Sequence, residues 1–211
     1  MTAKSLIDLI PCELFEFLSV ETQVDYQVKK LLSGEIIFKL ILFSMLDSNN
    51  LSLRVMESFL SSAQFKHFSQ TAGDLTNKYN SIRDRICSIN SSYFERLHQE
   101  IFKLYNKELQ EENSLSKSDS TYVSIASKLI SIGMKNGTRY DDKGRKQIKY
   151  SVNLKGSLPS LVKVFTDQSQ ISEELALSEL INQSDCIKDN IVVFDRGLQK
   201  RDSLKGIVNF I

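Results

Sequence analysis

Between residues 110 and 114 the hydrophobic period of this chain changes, and few features constrain a fold more tightly. Before Gln110-Glu111-Glu112-Asn113-Ser114, apolar residues recur at helical spacing; after it, they alternate. A period near 3.6 lays an apolar stripe along one helix face, whereas a period of 2 sends neighbours to opposite sides of a sheet. One segment cannot satisfy both. The reading is α+β, with a helical domain over 1–112 and a strand-bearing domain over 113–211, and 211 residues suffice for two small cores.

In the first half, Ile36, Ile37, Leu40, Ile41 and Phe43 to Leu46 follow Ser33-Gly34 as a nearly all-round apolar helix. Asp47-Ser48-Asn49-Asn50 reads as a turn, and Leu51 to Leu60 as the next helix. A longer pair is expected over roughly Thr76 to Ile89 and Ser92 to Leu109. Ser92-Tyr93-Phe94-Glu95 has capping-box form, and Phe94, Leu97, Ile101, Leu104 and Tyr105 repeat at helical spacing behind it. Arg83 and Arg85 are read as exposed on the earlier helix, where a DNA-reading role competes with Asp84, which dilutes the positive face.

In the second half, Ile148, Tyr150, Val152 and Leu154 alternate with Gln147, Lys149, Ser151, Asn153 and Lys155, the clearest strand in the chain. Gly156-Ser157 offers a hairpin turn into Leu161 to Thr166. Ser172 heads a helix with Glu173 and Glu174 in its first turn, where the positive helix end favours acids. Ile191 to Asp195 reads as the returning strand.

Several functions are excluded on composition. Cys12, Cys87 and Cys186 are odd in number, contain no Cys-x-x-Cys pair and read as buried thiols of a reducing cytosol. His67 and His98 are the only histidines and stand far apart in sequence, so no His-Glu-x-x-His zinc helix exists. Neither a Gly-x-Ser-x-Gly elbow nor a Gly-x-x-x-x-Gly-Lys phosphate loop is present. The most apolar stretch, Ile36 to Leu46, is too short to span a bilayer, and Met1-Thr2-Ala3-Lys4 opens no signal peptide. A cytoplasmic protein without a membrane partner is expected.

Two aspartates carry the chemical argument. Asp119 lies in Ser118-Asp119-Ser120-Thr121, and Asp195 closes the apolar run Ile191-Val192-Val193-Phe194. An apolar run ending in a carboxylate reads as a buried strand that delivers the carboxylate to the sheet edge, where open α/β sheets bind ligands. Magnesium takes oxygen ligands of this kind, with Mn²⁺ as its substitute. Charge supplies the second argument. Residues 1–112 hold 12 Lys/Arg against 15 Asp/Glu, and residues 113–211 hold 15 against 11. Lys135, Arg139, Lys143, Arg145, Lys146, Lys149 and Lys155 face only Asp141 and Asp142 between 135 and 155, the best footprint here for a phosphate backbone.

In order, Asp119-Ser120-Thr121-Tyr122-Val123-Ser124-Ile125-Ala126, Lys149-Tyr150-Ser151-Val152, Val164-Phe165-Thr166 and Val193-Phe194-Asp195-Arg196-Gly197 resemble the DDE transposases of bacterial insertion sequences, of the insertion-sequence-four type. The resemblance covers roughly residues 115–205 well and the helical half loosely, and it rests on the joint order and spacing of these pieces. It implies a ribonuclease H-like fold whose first and fourth strands are neighbours. It also implies DNA transposition by strand cleavage and transfer at insertion-sequence ends, with Asp119 and Asp195 as catalytic, Mg²⁺-holding residues. Two metals about 3.5–4 Å apart would clamp the attacking and leaving oxygens. Arg196 is read as pairing either with a DNA phosphate or with its own turn. The family's third carboxylate, a Glu in Tyr-x-x-Arg-x-x-x-Glu-x-x-x-x-x-x-Lys, has no room after Asp195, so the domain is expected to be incomplete and inactive alone. Double-stranded DNA, a second copy or a full-length transposase are the expected partners. Two other readings stand beside this one: a DNA-binding regulator or inhibitor of transposase, and an unrelated α+β protein with structural aspartates.

Overall fold

A computed structural model describes residues 7, 10–26, 32–49, 51–71, 73, 75–109, 115–125, 133–135, 146–172, 175–177, 179–180 and 191–194. It divides into two units, Met1–Ile101 and Phe102–Ile211. The domain boundary expected at 112/113 lies outside the described residues.

The first unit contains α1 (Cys12–Thr22), α2 (Gly34–Asp47), α3 (Leu53–Leu60), α4 (Ala63–Ser69) and α5 (Tyr79–Ser88); α6 (Ser91–Leu109) runs across the division. Serines start three of these helices. The side chains of Ser33, Ser52 and Ser62 accept the amides of Ile36, Val55 and Phe65 at 3.2, 3.2 and 3.1 Å, each satisfying an end N–H that has no partner within its helix. The expected cap at Ser92 is corrected: α6 begins one residue earlier, and Asn90 Oδ1 accepts the Ser92 amide at 3.0 Å. An amide oxygen two residues upstream performs the capping that the serine-glutamate spacing suggested.

Burial follows the helical stripes. Ile37, Leu40, Leu60, Phe65 and Ile82 are completely buried in one cluster, and Leu18, Tyr93 and Leu97 in a second. Phe43 of α2 meets Phe59, Phe65 and Phe68 edge-on at 5.2, 5.6 and 5.0 Å, a geometry that ring quadrupoles favour. The buried arginine of this unit is fully paired. Arg85 Nε donates to Leu32 O at 2.8 Å, and its Nη2 donates to Val24 O at 2.9 Å and Asp25 Oδ1 at 2.7 Å. Asp25 also accepts the Gly34 amide at 2.9 Å and the Ser19 hydroxyl at 2.8 Å. Gly34 is a close-approach position, since a Cβ there would lie 2.9 Å from Tyr93 Cζ.

The second unit is built on a sheet of β1 (Leu115–Ile125), β2 (Met134–Lys135), β3 (Lys146–Lys155), β4 (Leu158–Phe165) and β5 (Ile191–Phe194). Its long strands lie in the order β4-β3-β1-β5, with β2 pairing the start of β3. The β1·β3, β2·β3 and β3·β4 pairs are antiparallel, and β5 pairs β1 in parallel. Gly156, at φ 61°, takes the first place of the two-residue β3–β4 turn, where the primed hairpin turns require positive φ. The chain is thus α+β, helices followed by a mainly antiparallel sheet. Among the described residues no helix is long and apolar enough to cross a membrane.

The alternation in β3 is observed, and the covered side is the polar one. Lys149, Ser151 and Asn153 are buried, as are Ser116 and Ser118 of β1 on the same face. A lid of Ile171, at the end of a 3₁₀ turn (Gln168–Ile171), and of helical residues 175–177 and 179–180 covers the Lys149 end of this face. Ala176 packs with Met134 and Phe165, and Leu177 and Leu180 are buried. Ser172 follows the 3₁₀ turn and its carbonyl accepts the Ala176 amide at 3.3 Å, opening the helical stretch where its side chain had been expected to cap. Glu173 and Glu174 lie outside the described residues.

Candidate functional site at the end of the parallel ladder

Over the described residues the β1·β5 ladder runs from Leu115↔Ile191 to Ser118↔Phe194. Asp119 is the next residue of β1, and Asp195 is the covalent neighbour of Phe194. Asp195 itself, with Arg196, lies outside the described residues. The expected adjacency of β1 and β5 is present in their parallel pairing.

One expectation for Asp119 is corrected. It does not close a strand: it is the fifth of eleven residues of β1, which continues to Ile125 against β3. Its carboxylate is exposed and Oδ1 accepts the Ser120 amide at 2.8 Å, the single hydrogen bond that the described residues give it. On β3 it stands opposite Val152. Lys117 shares its face two residues away and is likewise exposed, a neighbour that reading the aspartates alone overlooked.

Three of the expected DNA-contacting residues are described. Register sets Lys135 opposite Lys146 at the start of β3, on the same face as Asp119. Like charges placed opposite each other repel, and a phosphate between them relieves that repulsion. Lys146 is six register positions from the partner of Asp119, roughly 20 Å along the strand at about 3.4 Å per residue.

Lys149 is a correction. It is fully buried, its Nζ donates to Ile171 O at 2.8 Å and lies 4.7 Å from the centre of the Tyr122 ring. Tyr122, directly opposite it in the register, donates its hydroxyl to the same carbonyl. A lysine held between a carbonyl and a ring face beneath the lid cannot reach a DNA backbone. Arg139, Lys143 and Arg145 lie outside the described residues.

Arg85 is corrected in the same way. Only 8% exposed and bound to two carbonyls and Asp25, it is a packing residue, while Arg83 is exposed and paired with Asp84 at 2.7 Å. That leaves α5 without the pair of outward arginines expected of a DNA-reading helix. The thiols differ from expectation too: Cys12 and Cys87 are exposed and unbridged, and Cys186 lies outside the described residues.

No family model matches this chain, and neither does any curated protein or solved structure. The site must be judged on its own chemistry. Among the described residues no three His, Cys, Asp or Glu side chains converge as a metal-holding group. The fit of Asp119 to Mg²⁺ rests on donor type and access: a hard oxygen ligand, solvent-facing, with no ion pair among the described residues to compete for it. Among the described residues, the other acids near the sheet, Glu179 and Asp167, are engaged elsewhere. Glu179 is held below the usual carboxylate range by its hydrogen bond from Lys163, and Asp167 by those from the Ser169 hydroxyl and amide.

Proposed function

We propose that this chain belongs functionally with metal-dependent DNA strand cleavage and transfer, the chemistry of transposition, with Asp119 and Asp195 as its carboxylates. One observation carries the reading: β5 lies parallel to β1 in a register that reaches Ser118↔Phe194, and Asp119 and Asp195 are the residues that follow in sequence. The strand order β4-β3-β1-β5 supports a ribonuclease H-like sheet, since that fold needs its first and last of these strands side by side. Bound there, Mg²⁺ would supply Lewis acidity toward a phosphodiester. The chain's own part is positioning. The Ser120 amide orients one oxygen of Asp119 and leaves the other directed at solvent, and the Lys135/Lys146 pair offers positive charge to a backbone running along the same face.

The test uses Mn²⁺ as a paramagnetic probe of the purified chain. Broadening of amide signals confined to residues 118–120 and 194–197, lost in both Asp119→Asn and Asp195→Asn, is the expected result. Broadening that survives both substitutions, or that centres on other acids, overturns the site. Mn²⁺-dependent nicking of supercoiled DNA abolished by Asp119→Asn would extend the result from binding to chemistry.

A further inference from the structure

The face of the sheet opposite the lid is the apolar one, exposed among the described residues, and it has a self-complementary centre. Leu115, Val123, Val162, Val164, Ile191 and Val193 are 36, 44, 40, 48, 62 and 48% exposed. The register places all six on one side of the sheet, around the half-buried Ile148, Tyr150 and Val152. Single exposed apolar residues are ordinary; a contiguous field of them across four strands marks a surface that meets another. At its centre one cation, Lys117, sits beside one anion, Asp119.

We propose that this face docks against the same face of a second copy of the chain. Lys117 and Asp119 lie two residues apart on the central strand, of opposite sign and both exposed. A two-fold axis lying in the interface and crossing β1 at Ser118 brings Lys117 over the partner's Asp119 and Asp119 over the partner's Lys117. A closed two-fold contact requires such self-complementarity, since each patch must satisfy itself. Two sheets stack about 10 Å apart with strands near −30°, a spacing that an extended lysine and a carboxylate can bridge between them. The area is adequate: four strands about 4.8 Å apart and some eight residues long give roughly 500 Å² of sheet plane per copy. Both copies together reach about 1,000 Å², the lower bound of a specific contact, which sets a reversible monomer–dimer equilibrium.

A dimer paired through Asp119 closes that carboxylate to metal and DNA, so the two readings describe alternative states of one face; the test of the dimer uses neither metal nor DNA, and its failure leaves the metal reading standing. Sedimentation equilibrium over a hundredfold concentration range should show a monomer–dimer equilibrium for the wild-type chain. Lys117→Glu and Asp119→Lys each set like charges against each other across the axis and should raise the dimer dissociation constant at least tenfold. The double exchange restores opposite pairs and should return it to within about threefold of wild type, which a merely structural defect would not do. Val164→Lys, at the margin of the face, should also weaken the dimer, with circular dichroism reporting an intact fold. A chain that stays monomeric throughout, or a dimer indifferent to both single exchanges, overturns the proposal.

Discussion

The two units solve burial in opposite ways. In the helical unit the covered surface is apolar, and its few buried charges are fully engaged: Arg85 with Asp25 and two carbonyls, Lys39 with Glu35 at 2.6 Å and Ser69 O at 3.2 Å. In the sheet unit the covered face carries Lys149, Ser151, Asn153, Ser116 and Ser118, while valines and isoleucines face outward. Ser116 donates to Asn153 Oδ1 and the Ser120 and Ser151 hydroxyls lie 2.6 Å apart, yet Ser118 Oγ is buried without a partner. The difference teaches that sharing a face and being buried are separate properties. Periodicity reports the first, and only the element that arrives to cover the face decides the second.

The largest expected effect lies in the helical unit. Arg85→Ala strands a partly buried carboxylate and two carbonyls and should destabilise by about 3–5 kcal/mol, as breaking a buried ion pair does. Urea unfolding followed by circular dichroism measures it. A loss below about 1 kcal/mol would mean that water enters the site as readily as it reaches an exposed pair, and the contrast between the units would weaken.

A smaller effect is visible only at high pH. Burial first, then the charges of Asp25 and Glu35, push the Tyr93 hydroxyl well above its usual range, with Arg85 opposing. Below about pH 10 the tyrosine is protonated in both folded and unfolded chains, and its contribution to stability is constant. Above that, the unfolded chain releases the proton while Tyr93 keeps it, so stability falls by about 1.4 kcal/mol per pH unit until the folded group titrates. Tyr93→Phe should remove that share of the alkaline decline while leaving stability at pH 7 nearly unchanged, because the hydroxyl has no hydrogen-bond partner. Unfolding curves of both proteins between pH 8 and 11 decide it; identical slopes would show that Tyr93 is solvated.

The smallest effect sharpens the comparison from the other side. Ser118→Ala removes a buried hydroxyl that bonds to nothing and should change stability by less than about 1 kcal/mol, toward greater stability. A loss above about 2 kcal/mol on thermal unfolding would mean that the hydroxyl has a partner and that the polar face leaves none of its serines unsatisfied.

Much of the local structure is legible in the residues. Ser33-Gly34 before an apolar run marks the start of α2, the stripe of Leu97 and its neighbours runs along α6, and Gly156-Ser157 closes the β3–β4 hairpin. The neighbouring of β1 and β5 was expected only from the resemblance to the transposases, since nothing in the two strands' own residues carries it. What is not legible depends on contacts remote in sequence. Arg85 looks like a surface residue because carbonyls 53 and 61 residues away leave no trace in its own helix. Lys149 looks like a phosphate ligand because Ile171, which holds it, comes from the lid. Asp119 looks strand-terminal because the true strand runs on through Ser120, Thr121 and Tyr122, polar enough to resemble a turn.

The parallel β1·β5 ladder also bears on the order of assembly. The β3–β4 hairpin closes a two-residue loop, whereas joining β1 to β5 gathers strands far apart in sequence, and closure entropy grows with the length of chain between them. The β1·β5 pair is accordingly expected to form after the hairpin, so that the surroundings of Asp119 take their final form late in folding.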